Sequence, residues 1–191
     1  MTRFSFGLVL TIVVGFAVLG GRTFSAQDKY TLQVPNGLAF SEFRGYEDWQ
    51  TIAVSQTEAT SVLRVILGNP TMVKAFREGI PGNGKPFPDG AVMAKIVWKQ
   101  KEITTAPFSA STPDTVPDTL QDVEFMVKDS KRFADGGGWG WGVFEYDAAS
   151  HTFRPGTLAD KPPQANDAKC GLACHTIVKT KDYVFTAYAQ R

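Results

Sequence analysis

The run CGLACH, from Cys170 to His175, places two thiols and an imidazole within six residues. Only three residues separate the cysteines, so a disulfide between them would be strained in helical or turn backbone. A zinc site would need a fourth ligand, and the chain has no third cysteine and one other histidine, His151. Two thiols followed directly by a histidine are typical of covalent haem attachment, whose usual spacing is C-x-x-C-H. We therefore expect one haem c per chain, bonded to Cys170 and Cys174, with His175 as the axial iron ligand.

The motif has one residue more between its cysteines than the usual spacing. Gly171 is expected to let the backbone accommodate that residue, because glycine is conformationally permissive. No second axial ligand stands out among His151, Met72, Met93 and Met126. His151 has polar neighbours, and methionine commonly fills gaps in cores. We expect a five-coordinate or water-bound iron, which favours small-molecule chemistry or sensing over simple electron transfer.

Residues 1–26 have the layout of a secretory signal peptide. Arg3 provides a positive start, residues 4–20 form an apolar run, and Phe24-Ser25-Ala26 is a small-residue cleavage site. An uncleaved anchor is the alternative, since the apolar run is near the short limit for a membrane span. Export agrees with the haem motif, because bacterial c-type haem is attached outside the cytoplasm. We expect a periplasmic protein with no membrane segment after cleavage, and residues 27–191 as a single haem-binding domain.

The charge of the mature chain argues against nucleic-acid binding. Cleavage after Ala26 removes Arg3 and Arg22 and no acidic residue, so the 20 basic residues fall to 18 against 19 acidic ones. A nearly neutral chain without a basic block lacks the electrostatic footprint that phosphate backbones require.

Hydrophobic patterning predicts strands separated by short loops. Residues 91–100 alternate most clearly, with Val92, Ala94, Ile96 and Trp98 on one face and Met93, Lys95, Val97 and Lys99 on the other. The other predicted elements are strands over 60–68, 120–128 and 139–146, a helix from Pro70 to about Glu78 capped by Asn69, and loops over 80–90 and 102–118. The chain is therefore expected to be α+β: mainly an antiparallel β-sheet of four to five strands with a few short helices.

Three runs of the sequence occur in a distinctive order: residues 87–95 (FPDGAVMAK), residues 124–133 (EFMVKDSKRF), and the CGLACH run followed by residues 182–186 (DYVFT). Together they resemble the cytochrome P-460 family, over most of the chain from about Val62. The resemblance implies an antiparallel-sheet fold, usually a homodimer, and a haem with a lysine bonded to the porphyrin edge. It also implies oxidation of hydroxylamine to nitric oxide or nitrous oxide. Relatives called cytochromes c′-beta share the fold, lack the lysine bond and bind nitric oxide.

Lys95 matches the position of the family's cross-linking lysine. The alternative is a solvated strand lysine like Lys99, since lysine is rarely buried. Met93 and Val97 flank Lys95 on its own face, however, so that face is not simply polar. Burial beside a haem edge would favour the deprotonated amine that bond formation requires.

Glu124 matches the family's distal carboxylate. A carboxylate above an open iron site can take protons from a bound N–OH substrate as that substrate is oxidised. The alternative is an exposed strand glutamate, and Asp122 and Asp129 are less favoured candidates for the same role. Phe40, Phe43 and Trp49 are expected to wall the distal pocket.

The expected function is therefore that of a periplasmic oxidoreductase acting on hydroxylamine at a five-coordinate haem. In that function Lys95 tunes the haem, Glu124 relays protons and His175 holds the iron. The alternatives are a nitric-oxide-binding cytochrome without turnover and a small electron carrier. Expected partners are a small nitrogen substrate, hydroxylamine or nitric oxide, a redox protein such as a small cytochrome c, and a second copy of the chain.

Overall fold

The computed structural model of the chain describes residues 27–34, 37–107, 109–156 and 168–191. The predicted signal peptide, residues 1–26, lies outside the described residues. In those ranges no helix has the length and apolar character needed to cross a membrane.

One antiparallel sheet dominates the described chain, and each strand in it pairs with its neighbour in sequence. The strands are β1 (Gln50–Thr57), β2 (Val62–Gly68), β3 (Val92–Ile103), β4 (Asp114–Lys128), β5 (Trp139–Asp147) and β6 (Thr152–Pro155). The α-helices are α1 (Pro70–Arg77) and α2 (Leu172–His175), and the longest 3-10 segment, Thr176–Lys181, follows α2 directly. The predicted α+β class is confirmed, with six strands in the sheet instead of four to five.

The segment 102–118 differs from its prediction as a loop. Strand β3 continues to Ile103 and β4 begins at Asp114, so the two strands form a long hairpin. Lys101 and Glu102 are consecutive exposed residues, so this part of the hairpin lacks the hydrophobic alternation by which a strand is recognised in a sequence. It is held by backbone pairing instead, and Pro117 sits close to a register shift, where a missing N–H is tolerated.

Helix α1 begins where the sequence predicts. Asn69 is its N-cap, and the Asn69 side-chain oxygen accepts hydrogen bonds from Met72 N at 2.9 Å and Val92 N at 3.1 Å. Pro70 occupies the first turn, where its missing N–H costs no hydrogen bond. The cap therefore joins the helix start to the first residue of β3.

Apolar side chains cover both faces of the sheet. One cluster includes Ile66, Met93, Met126 and Trp141 from the sheet, together with Met72, Cys170 and Val184. The other cluster includes Phe40, Phe43, Ala94, Val123, Phe125 and Phe144. Successive residues of β2, β3 and β4 alternate between the two clusters where these strands are buried, as the pleat requires.

Candidate functional site

A cavity of about 620 Å³ lies between one face of the sheet and the carboxyl-terminal segment. All five residues that the sequence predicts for the site line this cavity: Lys95 and Glu124 from the sheet, and Cys170, Cys174 and His175 from the carboxyl-terminal segment. Its size is within the range of small-molecule and cofactor sites, about 300–1,000 Å³. Residues from β3, β4 and a segment more than forty positions further along the chain therefore meet at one place.

The carboxyl-terminal segment is joined to the sheet through Trp141. The backbone N–H of Trp141 donates to the carbonyl of Ala168 at 2.7 Å, and a parallel bridge pairs Trp141 with Lys169. The next residue, Cys170, is buried, whereas Cys174 in α2 is exposed. Neither thiol is in a disulfide. Burial, and then the negative charge of Glu124, raises the pKa of the Cys170 thiol to about 12.

Gly171 is required for a reason other than the one expected from the sequence. Its φ of −89° is accessible to any residue, so conformational freedom is not what the site uses. A Cβ at Gly171 would lie 2.3 Å from Cδ1 of Trp141. The glycine therefore lets the cysteine motif lie directly against the indole ring.

His175 is oriented by a hydrogen bond through one ring nitrogen. Its Nδ1 lies 2.6 Å from the carbonyl oxygen of Tyr183 and donates to it, which leaves Nε2 as the nitrogen with a free lone pair. The ring packs against Trp141 and Phe185, with centroid distances of 5.6 and 5.0 Å. Burial holds the pKa of His175 below its usual range, and the charge of Lys95 acts in the same direction. The imidazole is therefore kept neutral, the form that binds iron.

Lys95 and Glu124 are directly opposite each other in the β3–β4 ladder. Their side chains form an ion pair with Nζ 2.5 Å from Oε2, and each is about one-third exposed (34% and 35%). The Lys95 side chain therefore lies on the cavity wall and keeps contact with solvent, and its bond to a haem stays a prediction.

Asp122 lies beside this ion pair on the same face of β4, and the sequence ranked it only as a secondary candidate. Burial raises its pKa to about 7, and the charge of Glu124 adds to the rise while Lys95 opposes it. The other secondary candidate, Asp129, is not at the cavity. Its carboxylate accepts hydrogen bonds from the backbone of Lys131 and Arg132 in the turn after β4.

The expectation that three aromatic side chains wall the pocket is wrong. Phe40, Phe43 and Trp49 belong to the cluster on the opposite face of the sheet, where Phe43 stacks on Phe125 at 3.7 Å. Strand alternation explains this, because Phe125 points away from its neighbour Glu124. None of the described residues between 102 and 118 lines the cavity.

Of the four candidate second axial ligands, His151 and Met72 lie away from the cavity, whereas Met93 and Met126 line it. His151 is in the β5–β6 turn, where its ring is hydrogen-bonded to the Tyr146 hydroxyl at 3.0 Å. Met72 is fully buried in the core. Met93 and Met126 are buried too, but they also line the cavity beside the predicted site residues.

Trp141 is the site residue that sequence reasoning missed. It contacts His175, the Cys170–Cys174 segment and Tyr183. The available signal was the pattern Trp139-Gly140-Trp141-Gly142, in which large rings occupy one face of β5 and glycines the other.

Three buried polar atoms at the cavity have no hydrogen-bond partner among the described residues: Asp122 Oδ1, Trp141 Nε1 and Thr186 Oγ1. Buried polar groups without partners are rare, which indicates that a bound group satisfies them. The wall is otherwise largely apolar, with Met93, Met126 and the Trp141 ring. A haem fits both properties, because it has an apolar ring and carboxylate side chains that accept hydrogen bonds from donors such as Trp141 Nε1 and Thr186 Oγ1. The residues present are thus compatible with a haem.

A comparison with protein families agrees with this geometry. The family model described as Cytochrome P460 matches residues 43–186, which is more than half of the chain and includes all five predicted site residues. No curated protein matches the chain. The chain belongs to the cytochrome P460 family and is a haem protein of the P460 or c′-beta type.

Proposed function

We propose that this chain is a periplasmic c-type haem protein that oxidises hydroxylamine. The observation that carries the proposal is the placement of Lys95 and Glu124 opposite each other on the wall of the cavity that also contains Cys170, Cys174 and His175. A proton acceptor, an amine and a neutral imidazole then share one site. In a lysine-modified haem that oxidises hydroxylamine, the amine would bond to the porphyrin, the imidazole would bind the iron and the carboxylate would accept the substrate's protons.

The two thiols would hold the haem covalently, and Nε2 of His175 would bind its iron. A haem bound there would supply one-electron redox chemistry. Oxidation of one hydroxylamine to nitric oxide releases three protons and three electrons; two hydroxylamines give nitrous oxide, water, four protons and four electrons. A small c-type cytochrome is the class of acceptor that would remove the electrons.

The protein's own residues deal with the protons. The Glu124 carboxylate is ion-paired and partly exposed, so it can accept a proton from an N–OH or N–H group in the cavity and return it to solvent. Lys95 holds the Glu124 carboxylate in position through their contact. The Tyr183 carbonyl keeps the His175 ring in one orientation by accepting its Nδ1 proton.

The ion pair also favours a second candidate function, nitric-oxide binding without turnover. An ammonium group held by a carboxylate is not a nucleophile, and a bond from Lys95 to the porphyrin requires the free amine. If Lys95 stays paired with Glu124, the chain is of the c′-beta type. The state of Lys95 in the mature protein therefore separates the two functions.

Peptide mapping of the purified holoprotein tests this directly. Tryptic digestion with mass spectrometry should find haem joined both to the 170–175 peptide and to the peptide containing Lys95, and Lys95→Ala should lose only the second adduct. Lys99→Ala, on the same face of β3, is the matched control and should retain both. Haem joined only to the cysteine peptide, with an ordinary ferrous spectrum, would exclude the oxidase and leave gas binding.

Replacing Glu124 tests the proton acceptor. Glu124→Gln should lower kcat for hydroxylamine about a hundredfold, the usual contribution of a general base, while the optical spectrum of the resting haem is kept. Glu102→Gln changes an exposed carboxylate on the β3–β4 hairpin and should leave kcat unchanged. Equal turnover in the two variants would remove Glu124 from the mechanism.

A further inference from the structure

Three carboxylates meet at one wall of the cavity: Asp122, Glu124 and Glu145. Asp122 and Glu124 are two residues apart on β4 and so project from the same face, and Glu145 of β5 is paired directly with Asp122. Among the described residues, the charged and titratable groups around Asp122 come from the sheet and from the carboxyl-terminal segment. The sheet contributes Lys95 of β3, Glu124 of β4, Arg64 of β2, and Glu145 of β5 with its partner Arg154 of β6. The carboxyl-terminal segment contributes Cys170, Cys174 and His175.

The cations at this wall leave Asp122 without a partner of its own. Lys95 is ion-paired with Glu124, and Arg154 is ion-paired with Glu145 at 2.7 Å. Arg64 donates to the Thr57 hydroxyl. The Oδ1 atom of Asp122 is buried and has no hydrogen-bond partner, and the nearby charge of Glu124 adds to the rise of the Asp122 pKa that burial causes.

Two carboxyl groups that are neighbours on one strand face hold one proton between them, because two adjacent negative charges repel each other. The proton belongs on the more buried member, because burial penalises the charged form. The Glu124 side chain is 35% exposed, whereas the Oδ1 atom of Asp122 is buried, so Asp122 is the member that carries the proton. The rise of the Asp122 pKa to about 7 agrees with this assignment.

We propose that Asp122 and Glu124 form a proton-sharing pair that relays substrate protons: Asp122 first releases its proton to water, and the ionised Asp122 then receives the proton that Glu124 has removed from the substrate. The inference rests on the proposed function for the source of those protons. In each transfer an O–H bond on Glu124 breaks and an O–H bond on Asp122 forms, with no change in electron count. The proton then leaves to water beside Glu145, which is 44% exposed, while the electrons go to the cytochrome acceptor.

A pair is useful here because hydroxylamine oxidation releases several protons per turnover. One carboxylate has to discharge after each proton before it can accept the next. A second carboxylate can accept the proton from the first, which is then free to take the next proton from the substrate. Proton transfer is most effective when the pKa of the accepting group is near the working pH. Asp122 is therefore a positioning and relay residue that acts through Glu124.

Infrared spectroscopy of the holoprotein tests the pair without using turnover. Wild type should show a protonated-carboxyl C=O stretch that disappears as pH rises through about 7. Asp122→Asn should lack this band, and Glu124→Gln should move its midpoint to lower pH, because the neighbouring negative charge that raises the Asp122 pKa is gone. Asp118→Asn, an exposed carboxylate on the same strand, should keep the wild-type titration. A wild type without the band, or an Asp122→Asn variant that retains it, overturns the proposal.

The pH dependence of turnover tests the relay. In wild type, kcat should rise with pH through about 7, because Asp122 accepts protons only when ionised. Asp122→Asn should lose this inflection and lower kcat about tenfold with little change in KM, while Asp118→Asn follows wild type. A profile unchanged in Asp122→Asn overturns the relay. If wild type fails to oxidise hydroxylamine, the proposed function fails and the relay fails with it, whereas the infrared band still decides whether the pair shares a proton.

Discussion

Lys128 Nζ lies 2.9 Å from Asp182 Oδ1, in an ion pair whose side chains are only 6% and 13% exposed. Asp182 Oδ2 also accepts the backbone N–H of Phe87 at 2.7 Å, and Lys128 donates to the carbonyl of Gly137 at 3.2 Å. The next residue after Asp182 is Tyr183, whose carbonyl holds His175. The three sequence runs that carry the family resemblance therefore meet at this ion pair. The ion pair fixes Asp182, and so holds the adjacent Tyr183 carbonyl in the position where it orients His175.

Removing Asp182 should destabilise the protein strongly. Asp182→Ala leaves Lys128 as a buried charge without its partner, and such a change costs about 3–5 kcal/mol of unfolding free energy. It should also release Tyr183, which adopts a positive φ of 65° after the φ of 49° at Asp182. Because the Tyr183 carbonyl orients His175, the absorption bands of the bound haem should shift. Urea unfolding of the holoprotein measures the first effect and optical spectroscopy the second.

The exposed ion pair Lys101–Asp118 provides the control for that experiment. Its side chains are 60% and 39% exposed, so Asp118→Ala should lower the unfolding free energy far less than Asp182→Ala does and leave the spectrum unchanged. Equal losses in the two variants would mean that burial of the Lys128–Asp182 pair has no energetic consequence.

Replacing Gly171 should impair the cysteine motif. In Gly171→Ala the new methyl group would lie 2.3 Å from the Trp141 ring, so either the motif or the ring has to move. Overpacking of this kind costs about 1–3 kcal/mol, and we expect a lower haem content per chain as well. Gly142→Ala is the matched control on β5, because its methyl group would be 3.5 Å from Leu38, an ordinary contact. Full haem content in Gly171→Ala would show that the close approach is not needed.

Strands with a strong internal pattern were predictable from the sequence. Residues 91–100 alternate between the two apolar clusters, and β3 was found there with the predicted faces. Strand β1 was missed because it is an edge strand whose side chains are mostly exposed, so its sequence lacks alternation. Strand β6 has only four residues, too few for a period to be recognised.

The members of the site were predictable, but not their pairings. Periodicity assigns Lys95 and Glu124 to strands, whereas only the register of β3 against β4 shows that they are opposite each other. The burial of Asp122 is equally invisible in the sequence, because it depends on Glu145 and the carboxyl-terminal segment packing around it. Long-range packing of this kind also determines the contact of Trp141 with Gly171.

The two cysteines should react very differently before haem is attached. Cys170 is buried with a thiol pKa raised to about 12, while Cys174 is exposed. Because the thiolate is the reactive form, iodoacetamide should alkylate Cys174 rapidly and Cys170 slowly in the folded haem-free chain. Mass spectrometry of the 170–175 peptide after timed labelling measures both rates. Denatured chain is the control, in which the two rates should converge; equal rates in the folded chain would contradict the burial of Cys170.

The stability of the protein should depend on pH through Asp122. Its pKa is about 7 in the folded chain and about 3.9 when unfolded, so between these values the folded state binds more protons than the unfolded state. The free energy of unfolding contributed by Asp122 is therefore fully present at low pH and is lost as pH rises towards 7, with no further change above. After allowance for solvent and for Lys95, we expect a loss of about 2 kcal/mol between pH 5 and pH 8.

Asp122→Asn isolates this contribution, because asparagine does not titrate and occupies the same space. Urea unfolding at a series of pH values should show wild type losing stability relative to Asp122→Asn as pH rises, with most of the change below pH 7. The comparison cancels the opposite effect of His175, whose lowered pKa reduces stability as pH falls. Asp118→Asn should differ from wild type by a constant amount over this range, because the pKa of Asp118 lies below its ordinary value. A constant difference for Asp122→Asn too would mean that Asp122 is ionised in the folded protein throughout, and that Glu124 has no proton-sharing partner.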